Sequence, residues 1–446
     1  MQSVNGGWDT SYEWKAVTLL TLGFGLVGLD RWVIAHLAAA KSSTMVADLH
    51  LDSAGQIGTL VASLGVAWGI SSMFMGNLSD RFGRKKVLVP ALVTFSLLSA
   101  VSGMMSGFVG MLLMRALMGV SEGAYCPTSF ATVAEASKPS RRGFNMGLQQ
   151  CAFALFGLGF GPIIATQLLQ YMSWRWVFGI VGVPGLIVAV LVAMTIREPK
   201  TITSRRAHGA AAGTDDTSDA VDTQFRMSAL LSHRNIPLSA LTLLCAMCGI
   251  FVLSAFAPIY LATDLKLNDQ AMGAVVSAIG FGGFLGQWGL PAFSDRFGRK
   301  TMALAGFSVG SVFLILFMNA GADNLFVLFI LLFISAGFAF GLLALITGPI
   351  SAEAAPVGMI ASTGGVIIGA GEIFGGGIAP LIGGAIATSY GVRYTLYLAL
   401  AGLVTGAIIS LFYKETAPIK VGKNEDESPL DKLEDQVGPI TGTAAG

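Results

Sequence analysis

The sequence predicts an all-α integral membrane protein built from two similar bundles of six transmembrane helices. Of its 446 residues, 54% are hydrophobic and only 12% are charged, whereas a soluble domain carries about 25% charged residues. Long apolar runs recur along the whole chain. The seven residues Ser79–Lys85 (SDRFGRK) also recur unchanged as Ser294–Lys300, each time between two such runs. A charged loop that occurs twice in this way indicates two copies of one membrane-embedded unit.

Twelve of the apolar runs are long enough to cross a hydrocarbon core of about 30 Å, which takes roughly 20 helical residues. They lie at 16–40, 55–78, 87–105, 107–131, 144–171, 176–195, 236–262, 270–293, 301–320, 324–350, 357–389 and 394–413. The runs divide into two six-helix bundles at 16–196 and 236–414, joined by a linker loop at 197–235. An N-terminal segment (1–15) and a polar, disordered tail (415–446) complete the predicted organisation.

The charges of the connecting loops predict how the chain is oriented in the membrane. Sixteen Lys and Arg residues lie in loops on one side of the predicted bundle, against four on the other side. Because cytoplasmic loops carry the excess of Lys and Arg, both termini are expected in the cytoplasm, as in a bacterial inner-membrane protein. The net charge of +1 gives no indication of a nucleic-acid partner, and we expect a monomer.

The two predicted bundles share more than the repeated loop. Three further matches are separated by 218 positions: Ala134-Glu135-Ala136 and Ala352-Glu353-Ala354, Pro162 and Pro380, and Arg175 and Arg393. Several matches at one offset indicate that the second half is a duplicate of the first. An even number of spans separates equivalent points, so the two copies run in the same direction through the membrane.

The repeated loop resembles the signature of the major facilitator superfamily, which stands between the second and third helices of those transporters. The matching residues of the first copy are Gly76, Asp80, Arg81, Gly83, Arg84 and Lys85. The resemblance implies twelve helices, transport by alternating access, and a latch that holds the cytoplasmic side closed in the outward-facing state. The latch residues would be Asp80, Arg81, Gly83 and Arg84 with Glu135, and Asp295, Arg296, Gly298 and Arg299 with Glu353.

A simpler role for the repeated loop is to orient the chain through its cations alone. That role would not require an aspartate, a glycine and an identical second copy, so the sequence favours the latch. The second copy departs from the superfamily pattern at one position, because Pro291 replaces the glycine expected four residues before Asp295. We therefore expect the second latch to be stiffer or less closely packed than the first.

Five charged residues lie inside predicted spans, where a charge is costly and indicates a functional site. They are Asp30 and Arg31 in the first span, Arg115 and Glu122 in the fourth, and Glu372 in the eleventh. At about 1.5 Å per residue, Asp30 and Arg115 lie at similar depths and are predicted to pair. Glu122 is seven residues beyond Arg115, on the same helix face and near the midplane. Desolvation there disfavours the ionised form, as a proton carrier requires.

Charged pairs of this kind can also be purely structural ties between helices. If the charges were needed only for structure, both halves would be expected to carry them. The second half, however, has residues such as Cys248, Phe333 and Phe340 at the corresponding places. This asymmetry favours proton coupling by the charges of the first half.

The pattern of charged residues inside the spans points to one branch of the superfamily, whereas the fold is common to all of its branches. Asp30-Arg31 and Arg115-x6-Glu122, with Gly119–Pro127 (GVSEGAYCP), resemble the anion:cation symporter branch of the superfamily, which takes up sugar acids and other carboxylates with protons. The resemblance implies that Asp30 and Glu122 carry the protons, with Arg115 beside them, and that Arg31 holds the substrate carboxylate. A guanidinium suits this task because it stays charged and binds a carboxylate through two hydrogen bonds.

Other residues of the spans are candidates for the substrate cavity. Gln149 and Gln150 in the fifth span can donate hydrogen bonds to an anion, and Tyr125 in the fourth span either does the same or packs. Glu372 is a candidate substrate contact or a second proton or cation site. Aromatic candidates for the cavity wall, which also serve as packing, are Trp68, Trp288 and Phe374.

The predicted function is secondary active transport: proton-coupled uptake of a small organic anion, either a sugar acid or an aromatic or aliphatic carboxylate. The expected partners are the anion, protons and the lipid bilayer, with no cofactor and no metal. The sequence has no nucleotide-binding loop, which excludes an ATP-driven pump. The charged motifs also resemble the spinster-like branch, so a proton-coupled exporter of drugs or lysolipids is the alternative. A membrane sensor on the same fold would need a large output domain, whereas the longest loop has 39 residues.

Overall fold

Helices account for all the regular secondary structure in the part of the chain that the structure describes. The structure, a computed structural model, describes residues 9–138, 141–197, 233–354 and 360–417. Within these ranges, some side chains also lie outside the description, namely those of Gly76, Asn77, Asp80, Arg81, Arg142, Gly143, Ala352 and residues 360–362. Most of the predicted linker loop falls outside as well. The described residues confirm the predicted all-α membrane fold.

Six long helices form the first half of the molecule. They are α1 (Thr10–Ala39), α2 (Ala54–Phe82), α3 (Arg84–Ser102), α4 (Phe108–Ala136), α5 and α6 (Trp174–Thr195). Helix α5 consists of Arg142–Ala154, a π-helical turn at Leu155–Phe160, and Gly161–Leu168. A single helical turn, Met45–Asp48, lies between α1 and α2.

Six further helices form the second half. They are α7 (Asn235–Thr263), α8 (Asp269–Phe297), α9 (Arg299–Asn319), α10 (Leu325–Leu345), α11 and α12 (Arg393–Ser410). Helix α10 continues through a π-helical turn at Ile346–Ile350 into Ser351–Ala354. Helix α11 consists of Ile360–Ala370, a π-helical turn at Gly371–Ile378, and Ala379–Tyr390.

Each of the twelve predicted spans overlaps one of these helices. Among the described residues, eleven helices are long and apolar enough to cross a membrane. The twelfth, α4, has 29 residues but carries Arg115 and Glu122, which lower its apolar character. Both charges are fully buried inside the bundle, so α4 exposes no charge at these two positions to lipid.

Helix α1 begins earlier than the sequence predicts, at Thr10 rather than at residue 16. Asp9 caps this end of the helix, and its carboxylate accepts from the backbone amide of Tyr12 at 3.0 Å. Glu13, in the first turn, is fully buried in the bundle. Its carboxylate accepts hydrogen bonds from the side chains of Arg141 at 2.8 Å and Asn145 at 2.9 Å. From residue 9 onward, the predicted polar N-terminus therefore belongs to the folded first half.

Hydrogen bonds join the two halves at the end of the bundle opposite the repeated loops. Asp269, at the start of α8, accepts from the backbone amides of Lys41 and Ser42 at 2.8 and 2.9 Å. The amide of Gly55 in α2 donates to the hydroxyl of Thr388 in α11 at 2.9 Å. These bonds close this end of the bundle across the boundary between the halves.

The halves also approach closely at mid-depth, where α5 contacts α8. A Cβ atom on Gly280 would overlap the backbone nitrogen of Gly159. Only a residue without a side chain allows the two backbones to come this near, as is common between transmembrane helices.

A single glycine connects α2 to α3, and another connects α8 to α9. Gly83 has φ 106° and ψ 149°, and Gly298 has φ 102° and ψ 148°. This region of backbone conformation is essentially restricted to glycine, because a Cβ atom would clash with the backbone. The two copies of the repeated loop thus fold into the same turn, in agreement with their duplication.

Replacing Gly298 by alanine is expected to lower the free energy of unfolding by about 1–3 kcal/mol, the cost of this backbone conformation for a residue with a side chain. The new Cβ would also meet the carboxylate of Glu415. Thermal unfolding of the purified protein measures the change. Gly107→Ala is the control, because Gly107 is extended and its Cβ would meet nothing within 4 Å. Equal melting temperatures for the two variants would contradict the expectation.

Candidate functional site

Arg31 lies at the centre of the bundle, where α1 of the first half contacts α7 of the second. Its Nη2 donates to Oε2 of Glu372 in α11 at 3.0 Å. The rings of Trp68 and Phe251 cover the guanidinium, with centroids 4.6 and 4.4 Å from Cζ, and Phe153 lies at 5.9 Å. The aromatic faces stabilise the cation and leave its in-plane N–H groups for hydrogen bonding.

Both halves of the molecule position this buried ion pair. Glu372 stands in the π-helical turn Gly371–Ile378, and such turns are frequent at functional sites. Nε and Nη1 of Arg31 have no hydrogen-bond partner among the described residues. The sequence predicted Arg31 and Glu372 as separate candidates but did not predict that they pair. The pair joins the halves while leaving donors of Arg31 available.

Asp30 is adjacent to Arg31 in the sequence, but its hydrogen-bond partners among the described residues lie in the first half. Its Oδ1 accepts from the hydroxyl of Ser99 in α3, a residue that the sequence did not mark as functional. Arg115 Nη1 donates to the backbone carbonyl of Asp30 at 3.0 Å. The predicted pairing of Asp30 and Arg115 is therefore made through the carbonyl, and the two charged groups interact electrostatically.

Glu122 is fully buried on α4, and its carboxyl group interacts with that of Asp30. No donor of the described residues reaches either carboxyl oxygen of Glu122. Oδ2 of Asp30 likewise has no hydrogen-bond partner among the described residues. Two buried carboxyl groups that act on each other electrostatically therefore lie in the first half. Arg31 and Arg115 both act electrostatically on Glu122.

The predicted substrate contacts on α4 and α5 differ in their hydrogen-bond partners and in their burial. Tyr125 is buried, and its hydroxyl donates to the backbone carbonyl of Leu20 at 2.9 Å. It therefore ties α4 to α1, and its contact with the substrate stays a prediction. Gln149 donates to Ser129 at 2.8 Å, and its Oε1 has no partner among the described residues. Gln150, next to it, is half-buried.

The aromatic candidates for the cavity wall also differ in their surroundings. Trp68 is buried and lies over Arg31. Trp288 packs against Phe284, with ring centroids 5.4 Å apart, and is 40% exposed. Phe374 is exposed. Trp68 is therefore the member of this set that contacts the charged residues described above.

The two repeated loops carry matching ion pairs. Arg84 donates to Glu135 at 2.7 and 3.3 Å, and Arg299 donates to Glu353 at 2.8 Å. Each arginine also donates to the first serine of its own repeated loop. Each ion pair lies within its own half of the molecule. It therefore holds the repeated loop of that half against the helix that carries the glutamate.

The second loop has one further ion pair, between Asp295 and Arg299. Arg296 is exposed at the surface. The side chains of Asp80 and Arg81 lie outside the described residues. A latch that acts between the halves therefore stays a prediction.

Glu415 belongs to the predicted disordered tail, yet it contacts the second repeated loop. Its carboxylate accepts from the backbone amides of Arg299 and Lys300 at 2.7 and 3.3 Å, at the N-terminus of α9. Thr416 donates to Glu353 at 2.6 Å. The folded second half therefore extends through these residues. Nothing in the composition of the tail indicates the contact.

The described residues form twelve long helices in two matched halves, with buried charges where the halves meet, an architecture typical of a membrane transporter. The sequence profile of the Major Facilitator Superfamily matches residues 20–289 and 239–441. The chain belongs to this superfamily.

The chain is also similar in sequence to individual transport proteins. A protein of Haemophilus influenzae, named for metabolite transport, is 25% identical over 407 residues, which cover 90% of this chain and 96% of that one. The hexuronate transporter of Bacillus subtilis is 27% identical over 254 residues, covering 57% of this chain and 58% of the transporter.

A solved structure has the same fold. It is a bacterial homologue of the human lysosomal transporter Spinster in an inward-facing, unoccupied conformation. It superposes with a TM-score of 0.70 over 90% of this chain and 96% of that chain, at 17% identity.

Proposed function

We propose that the protein is a proton-coupled symporter that takes up a small organic anion, either a sugar acid or an aromatic or aliphatic carboxylate, by alternating access. One observation carries the proposal. Consecutive residues of α1 present a buried guanidinium with open donors, that of Arg31, and a buried carboxyl group, that of Asp30, while the buried carboxyl group of Glu122 has no hydrogen-bond partner among the described residues. Arg31 binds the substrate carboxylate, and Asp30 and Glu122 carry the proton.

The coupling follows from the cost of moving charge through the membrane. An anion that crosses alone carries an uncompensated charge through a low-dielectric region. A proton on the Asp30–Glu122 pair keeps the loaded carrier closer to neutral, so the two ligands cross together. The relative named as a hexuronate transporter supports a sugar acid as one member of the substrate class.

In this proposal the repeated loops and both termini face the cytoplasm of a bacterial inner membrane. The excess of Lys and Arg in the loops on that side supports the orientation. The end closed by Asp269 and Thr388 then faces the outside.

Transport into liposomes tests the proposal. The purified protein is reconstituted with a weakly buffered interior that contains a pH-sensitive dye. D-glucuronate, L-galactonate and phthalate are then added outside, one at a time. We expect internal acidification on addition of at least one of them, because each imported anion brings at least one proton. D-glucose, which lacks the carboxylate of D-glucuronate, and protein-free liposomes are the controls and are expected to give no signal.

The opposite result would favour the exporter. No acidification with any of the three anions, together with proton-driven movement of a lipophilic cation, would contradict symport of an organic anion. It would support a proton-coupled exporter of the spinster-like type.

A further inference from the structure

We infer that Glu372 is a tethered occupant of the anion site, which the substrate carboxylate replaces at Arg31 when it binds. The inference rests on the proposed function and deepens it. Glu372 becomes the residue that sets how tightly the anion binds and that links binding to the contact between the halves.

The guanidinium of Arg31 offers a free carboxylate the same atom, Nη2, to which Glu372 is already bound. A guanidinium offers two in-plane edges for bidentate binding, and Nη2 contributes an N–H group to both of them. Glu372 holds Nη2 at 3.0 Å. Nε and Nη1, which complete the two edges, have no partner among the residues that the structure describes. An incoming carboxylate that takes the edge held by Glu372 therefore displaces Glu372, and one that takes the other edge uses the second N–H of the same Nη2 and lies next to Glu372.

The surroundings of Arg31 favour replacement over simultaneous binding. Trp68 and Phe251 lie over the guanidinium with ring centroids 4.6 and 4.4 Å from Cζ, so these rings crowd it and leave less room for a second carboxylate. The side chains of Arg31 and Glu372 are only 2% and 10% exposed. A second carboxylate at this buried cation would leave an excess negative charge with little solvent to stabilise it. The free anion and Glu372 thus compete for one cation.

Replacement also changes what holds the two halves together. Arg31 belongs to α1 of the first half, and Glu372 belongs to α11 of the second. Their hydrogen bond is a link between the halves at the centre of the bundle. A free anion satisfies Arg31 without a covalent connection to α11. Binding therefore releases this link, which is a physical route from an occupied site to a movement of the halves.

Substitution of Glu372 by glutamine tests the competition. The full-length purified protein is titrated calorimetrically with D-glucuronate and, separately, with L-galactonate and phthalate. We expect Glu372→Gln to bind the recognised anion about tenfold more tightly than the parent protein. A factor of this size corresponds to an Arg31–Glu372 pair that is formed in roughly nine of ten unoccupied molecules. An affinity equal to that of the parent would overturn the inference and leave the proposed function intact.

Asp48→Asn is the matched control. Asp48 also forms an ion pair with an arginine, Arg175, and accepts from Trp174 at 2.8 Å, but it lies away from the central site. We expect its anion affinity to equal that of the parent. A gain as large as that of Glu372→Gln would show a general effect of lost negative charge and would overturn the inference. If neither the parent nor Glu372→Gln bound any of the three anions, the proposed function itself would fail.

A distance measurement covers the case in which Glu372→Gln does not fold. Spin labels are placed at Lys86 and Thr301, which are exposed at equivalent positions of the two repeats, after replacement of the four cysteines. We expect the anion to change the distance distribution between the labels in the parent protein. Glu372→Asp, whose shorter side chain draws back from Arg31, should give the same change without the anion. A Glu372→Asp distribution equal to that of the unliganded parent would overturn the inference.

Discussion

Glu122→Gln is expected to abolish proton-driven accumulation of the substrate while leaving exchange of external for internal substrate measurable. Glutamine has nearly the shape of protonated glutamate but cannot release a proton, so the variant stays in one of the two protonation states. Exchange requires only that the loaded carrier moves to and fro, whereas accumulation requires proton release. Both are measured with radiolabelled substrate in liposomes, with and without an imposed pH gradient.

Glu13→Gln is the matched control for this prediction. Glu13 is also a fully buried carboxylate, but it accepts hydrogen bonds from Arg141 and Asn145 within the first half. The folded fraction of Glu13→Gln is expected to accumulate substrate as the parent does. Full accumulation by Glu122→Gln would remove Glu122 from the coupling mechanism.

Arg31→Lys is expected to weaken binding of the substrate anion by about 1.5–3 kcal/mol, the free energy of a hydrogen bond to a charged group. This corresponds to a dissociation constant roughly 10- to 150-fold higher. Lysine keeps the positive charge but lacks the planar pair of donors and the flat surface that fits between Trp68 and Phe251. Calorimetric titration of the purified variant gives the constant directly.

The same substitution at Arg175 provides the comparison. Arg175 is about one-third exposed and forms its ion pair with Asp48 away from the central site. Arg175→Lys is expected to keep the affinity of the parent. If Arg31→Lys also kept that affinity, Arg31 would be a structural tie and not the group that binds the anion.

Much of the fold could be predicted because a membrane allows few solutions. Inside the membrane every backbone polar group must be hydrogen-bonded within a helix, so each span is a long helix of apolar residues. Such spans are recognised in a sequence by their length and hydropathy. Helix α4 carries Arg115 and Glu122, yet the sequence predicted it as the span 107–131 because the rest of that run is apolar. The sequence placed Glu13 and Glu415 outside the two folded halves, whereas the structure shows that both belong to them. Both residues look like parts of polar termini, and their partners are more than 100 residues away in the sequence.

The candidate site was predictable in its charges but not in their pairing. Asp30, Arg31 and Glu372 stand out because each interrupts an apolar run. The similar depths of Asp30 and Arg115 along their helices predicted that the two residues meet. Depth does not give the direction of a side chain, and Arg115 donates to the backbone carbonyl of Asp30 rather than to its carboxylate. The Arg31–Glu372 pair depends on how the two halves pack. The spacing of residues within one half carries no information about that packing.

Asp30 and Arg31 are neighbours on α1, so their side chains leave the helix about 100° apart. One contacts helices of the first half, and the other contacts the second half. In a symporter built this way, the two binding equilibria are linked, and the factor by which the anion strengthens proton binding must equal the factor by which the proton strengthens anion binding. The same linkage makes the direction of transport reversible. A sufficiently steep outward gradient of the anion would drive protons out of the cell against their own gradient.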